Sequence, residues 1–182
     1  VLALIIGVGS FVHELDPKLH TFWRSRPISP AAWFWLKFAA GFFVLAVLYD
    51  VPYALLSWSR IIHPFWRSAE SNLPILEVCF PILLHLLVYS IAVLAACVSR
   101  HSVYATILAL CAVLAILLPP LFTDLRRIPD WLSFIELWSN SIHHHPRVDL
   151  NFLIAGAFVT AFALPATLLA AWLIKRDIAL NT

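Results

Sequence analysis

Asp50, Glu77 and His85 are ionisable residues set in strongly apolar sequence, and they form the first candidate for chemistry, an intramembrane polar site. A titratable side chain inside a bilayer is costly and marks a functional position by default. Glu77 and His85 are eight positions apart, with Pro81 between them. That spacing puts both roughly on one helical face, where they could relay a proton. The bland reading is a polar contact between helices, with Glu77 reaching the interface from the polar start of its run. Asp50 stands about 20 Å along a helix from Lys37. It has Tyr49 and Pro52 beside it, which fits a helix end or kink near the far interface.

Other chemistries are poorly supported. His143-His144-His145 is conspicuous, but adjacent residues point in different directions and rarely ligate one ion, so no metal site is expected. Cys79, Cys97 and Cys111 lie in apolar stretches with no CxxC pair, and read as small buried hydrophobes. The glycines are Gly7, Gly9, Gly41 and Gly156, and none opens a P-loop, so if ATP drives this protein, a partner subunit or a missing part of the chain must bind and hydrolyse it. No serine sits in a G-x-S-x-G elbow, and the acids show no convergent pair. The chain is therefore not expected to be an enzyme, and no cofactor of its own is expected.

The elements that must position these residues follow from composition. Of 182 residues, 62% are hydrophobic and 12% charged, against about 25% charged in a soluble domain. Mean hydropathy is +0.90. So few charges cannot shield so much apolar surface in water, which leaves an integral membrane protein. A net charge of +2 is too small to imply nucleic acid or another polyanion as partner. The apolar runs do not alternate with polar residues, so helices are expected rather than barrel strands.

The fold expected is all-α: a polytopic transmembrane helix bundle in one membrane domain, residues 1–182. Complete spans are expected at 31–58, 73–98, 102–122 and 152–174, each near the ~20 residues a crossing needs. Residues 1–12 read as the end of an earlier span. With no Met and an abrupt apolar start at Val1, the chain reads as the C-terminal part of a longer protein. In the loop 123–151, Ile128, Trp131, Ile135, Trp138 and Ile142 form one apolar stripe behind Pro129-Asp130. That pattern predicts a short helix in the outer interface before the last span. With loop 13–30 inside, the inner set is Lys18, Arg24, Arg26, Lys37, Arg100, Lys175 and Arg176. The outer set is Arg60, Arg67, Arg126, Arg127 and Arg147. This excess predicts a cytoplasmic C-terminus; the chain is expected to be integral to the plasma or inner membrane.

Loop 13–30 comes directly after the first apolar run and mixes charge with Phe22, Trp23 and Ile28. A short amphipathic helix there would rest on the inner leaflet or dock in a groove of a soluble partner. Glu14, Thr21, Phe22, Arg26-Pro27-Ile28-Ser29 and then Lys37 follow in an order and spacing that resembles the permease subunit of type-2 ABC transporters. His13-Glu14-Leu15-Asp16 departs from the Glu-Arg-Glu often found there, and the first of six spans is missing. The motif covers about residues 11–41, whereas the organisation of the whole chain fits.

The resemblance implies an exporter membrane subunit that works with a separate ABC ATPase and a second permease copy or homologue in the lipid bilayer. It implies that loop 13–30 is a coupling helix, and that Glu14, Thr21, Phe22, Arg24, Arg26 and Pro27 within it, with Lys37 at the foot of the next helix, make coupling or partner contacts. The cargo does not follow from it. The alternative is a membrane-embedded enzyme or sensor using Glu77 and His85 or the outer histidines, and a third reading is a scaffold subunit.

Overall fold

The computed structural model describes residues 1–12, 29–62, 74–99, 101–117 and 148–180, with side chains at 1–12, 29–56, 81–99, 101–116 and 156–176. Among these residues every regular element is helical, as expected. The elements are α1 (Leu2–Val12), α2 (Pro30–Leu45), a π-helical turn (Ala46–Asp50), α3 (Val51–Ile62), α4 (Pro74–Ser99), α5 (Ser102–Leu117) and α6 (Val148–Leu180).

Among the described residues three stretches are long and apolar enough to cross a membrane: Pro30–Leu56, Pro81–Ser99 and Gly156–Arg176. They correspond to three of the four expected spans. The chain is thus a helical membrane protein. Of the fourth expected span, 102–122, the described part is α5, whose 16 residues are fewer than a crossing needs. α1, at 11 residues, is likewise short. The expected outer-interface helix, the His143–His145 run and loop 13–28 lie outside the described residues.

Helix starts follow local chemistry. Ser29 caps α2: its hydroxyl accepts from the Ala32 N–H at 3.2 Å, and Pro30 takes the first helical position, where no N–H is needed. Hydroxyls inside the helices bond back one turn. Ser90 donates to the Leu86 carbonyl at 2.7 Å and Thr160 to the Gly156 carbonyl at 2.7 Å. This lets polar side chains sit among apolar ones without an orphaned donor.

α4 is the hub. It packs against α1, α5 and α6, and α2 lies against α1 and α6. Lipid is as apolar as leucine, so close packing must replace the hydrophobic effect as the force between helices. Small residues provide it. Ala92 and Ala96 on α4, Ala105 and Ala109 on α5, and Ala163 and Ala170 on α6 are all buried, and backbones approach closely there. One hydroxyl pair crosses between helices: Thr167 on α6 lies 3.0 Å from Ser90 on α4. Large side chains such as Leu36 and Phe43 on α2, Leu48 in the π turn, and Leu164 and Leu168 on α6 face outward, as a bilayer allows.

Three helices meet at Tyr89. The ring is fully buried, and its hydroxyl donates to the Phe38 carbonyl at 3.2 Å. Phe38 and Phe42 flank it at centroid distances of 4.9 and 5.9 Å. Gly7 on α1 and Gly41 on α2 form the notch it fills. A Cβ at Gly41 would collide with the Tyr89 hydroxyl, and one at Gly7 would come within 2.6 Å of the Ala92 Cβ.

Candidate functional site: a buried acid–imidazole pair at a π turn

The inward stripe of α2 runs Phe34, Phe38, Gly41, Leu45, in steps of four, three and four. A regular helix would next turn Leu48 or Tyr49 inward. Both are exposed, and Asp50 is the buried residue instead. The step of five comes from the π turn, where the Val51 N–H bonds to the Ala46 carbonyl five residues back. Pro52 accounts for it. Proline has no N–H for the Leu48 carbonyl, and its ring crowds that carbonyl, so the ladder must open just before it. One inserted residue swings Asp50 onto the face toward α4. Single π turns of this kind are frequent at functional sites.

There Asp50 meets His85. Oδ1 of Asp50 and Nδ1 of His85 are 2.6 Å apart, a short charge-assisted contact. Asp50 is 4% exposed, whereas the His85 side chain keeps 22% of its surface exposed. The Tyr49 ring stands edge-on to the imidazole, with centroids 4.7 Å apart. Asp50 Oδ2 is buried and has no hydrogen-bond partner among the described residues. A carboxylate oxygen left so is expensive in a low-dielectric setting, and such an exception calls for an explanation.

Of the residues named from sequence, Asp50 and His85 come together. Glu77 lies two turns earlier on α4, with its side chain outside the described set. The sequence reading paired His85 with Glu77 and left Asp50 at a helix end or kink; the structure has a π turn there, which turns Asp50 inward to His85. Tyr49 and the Asp50–His85 contact were missed, although Pro52 was the signal for them. Pro52→Ala should let the ladder close as plain α-helix. Asp50 would then rotate by about 100°, and His85 would lose its partner. Modification of His85 by diethyl pyrocarbonate should rise severalfold; an unchanged rate would show that Pro52 does not set the turn.

A second cluster ties α1 to α2. The Lys37 ammonium donates to the Ser10 carbonyl at 2.9 Å, in the last turn of α1. It also lies 5.3 Å from the Trp33 ring centroid and 6.0 Å from that of Phe11. A cation at a helix C-terminus satisfies an orphaned carbonyl and complements the dipole. Phe11 packs on Trp33 at 6.0 Å and on Phe34 at 5.4 Å. α1 and α2 are therefore lashed together at both bases of segment 13–28. Glu14, Thr21, Phe22, Arg24, Arg26 and Pro27 fall within that segment, outside the described residues.

The fold and these sites define a helical membrane protein with a buried acid–imidazole pair. Comparison with protein-family models, curated proteins and solved structures gives no match.

Proposed function

We propose that this chain is the membrane-spanning permease subunit of an ATP-driven exporter of the type-2 ABC kind, with ATP hydrolysed by a separate subunit. The supporting observation is the Lys37–Ser10 clamp. A loop that passes force from a soluble motor to the spans must be anchored at both ends, or its motion dissipates in loose backbone. Segment 13–28 leaves α1 two residues after Ser10 and enters α2 at a capped Ser29-Pro30. The order Glu14, Thr21, Phe22, Arg26-Pro27-Ile28-Ser29, Lys37 is the order the resemblance assigns to a coupling helix. On this reading the domain has four complete spans and the end of an earlier one, its C-terminus is cytoplasmic, and it pairs with a second permease.

The test is co-purification of the full-length protein in nanodiscs, with ATPase activity assayed on what comes with it. A stoichiometric P-loop ATPase is the expected result. A clean preparation with no nucleotide-hydrolysing partner overturns the proposal.

A further inference from the structure

The geometry points to Asp50–His85 as a proton-binding site in the membrane domain, with His85 as the port and Asp50 as the store. This does not depend on the permease reading. Asp50 is sealed by burial, and its only described polar neighbour is His85. The imidazole is the more exposed member of the pair. Its Nδ1 is committed to Asp50 Oδ1, which leaves Nε2 with no partner among the described residues. An imidazole held in this way has a fixed tautomer and one free nitrogen. Among the described residues the carboxylate is reached through the imidazole, a route that suits a proton and not a metal or organic cation. A proton can reach it.

The transfer balances as follows. Nε2 takes a proton from a hydronium ion or water on the exposed side, as Nδ1 gives its own proton to Asp50 Oδ1. The carboxyl ends neutral, and the imidazole ends neutral in its other tautomer. Reversal returns the proton to water. The loaded state removes the negative charge from the unpartnered Oδ2, which the empty state leaves buried. The orphaned oxygen is thus accounted for by the proton.

Few other groups compete. Tyr49 faces His85, and Tyr53 follows within a turn on α3, which also carries Arg60; α2 carries Lys37, and α4 carries Tyr89, bonded to the Phe38 carbonyl, and Cys97. Glu77 lies two turns up α4. α1 carries no ionisable side chain. On α5 the described ones are His101 before its start, Tyr104 and Cys111, and on α6 they are Lys175 and Arg176 at its far end, with Asp149 near its start.

The experiment is infrared difference spectroscopy on the full-length protein in nanodiscs over a pH series, followed by a pH jump. Wild type should show the carbonyl stretch of a protonated carboxylic acid growing in as pH falls. Asp50→Asn keeps the shape and an acceptor oxygen for His85, and should lose that band. Glu77→Gln should retain it. His85→Asn can still donate to Asp50 near the Nδ1 position but cannot pass a proton through, and should slow the band's appearance by about 100-fold. The site is overturned if Asp50→Asn leaves the spectra unchanged, if Glu77→Gln removes the band instead, or if His85→Asn responds as fast as wild type. Circular dichroism on each variant confirms that the helices persist.

Discussion

Gly7→Ala will destabilise the bundle by about 1–3 kcal/mol, a large effect for one methyl group. The added Cβ would lie 2.6 Å from the Ala92 Cβ and 3.1 Å from the Tyr89 carbonyl oxygen. Carbon atoms in contact prefer about 3.5–4.0 Å. Neither obstacle can turn aside, because alanine has no side-chain torsion to adjust and the carbonyl is backbone. α1 must therefore retreat from α4 by about 1 Å, and a gap of that size forfeits up to half the dispersion energy of every contact it opens. Gly41→Ala meets a different obstacle, the end of the Tyr89 side chain. Tyr89 is fully buried between Phe38 and Phe42 and has little room to move. The two substitutions call for different rescues. Ala92→Gly should restore Gly7→Ala by removing the opposing methyl. Tyr89→Phe should restore Gly41→Ala only in part, since it also gives up the bond to the Phe38 carbonyl, worth about 1 kcal/mol. The thermal-melting midpoint of the full-length protein in detergent measures all four. If Gly7→Ala melts with wild type, α1 and α4 are not packed at this distance.

Composition alone was enough to read the helices and their membrane setting, because few charges and long apolar runs admit little else. Which face of each helix turns inward was much less legible. α4 and α6 are apolar on all sides, so the period-3.6 pattern that reports an inward face in water carries no signal here. Small residues carry it instead: Ala92 faces Gly7 on α1, where only short side chains let the backbones meet. The site was half legible. Asp50 and His85 stood out as ionisable residues in apolar sequence, but they are 35 positions apart on different helices. Spacing along one helix therefore favoured Glu77 as the partner. A regular period also pointed Tyr49 inward, and only the open turn before Pro52 puts Asp50 there. Lys37 was named through the resemblance, whereas its bond to Ser10 depends on how α1 ends, which no motif states.

If the chain is the proposed permease, reversing the charge at Arg24 and Arg26 together should release its ATPase subunit from the membrane domain. If segment 13–28 docks in a groove of that subunit, the two guanidinium groups meet an acidic rim. Replacing them by Glu sets like charges against each other, which costs several kcal/mol across an interface. Each 1.4 kcal/mol is a factor of ten, so the dissociation constant should rise by about 100-fold or more. The bundle should be untouched, because both residues lie in the loop and the Lys37–Ser10 clamp remains. Lys37→Met separates docking from transmission. It keeps the docking residues and most of the side-chain bulk, but removes the ammonium that ties α2 to the end of α1. The ATPase should still bind the Met variant within a factor of about three, but the membrane domain should no longer alter its hydrolysis rate. Binding by interferometry and phosphate release, measured on the same nanodisc preparations, read the two effects independently. Wild-type affinity after double charge reversal would leave segment 13–28 resting on the inner leaflet, and the coupling role would fall with it.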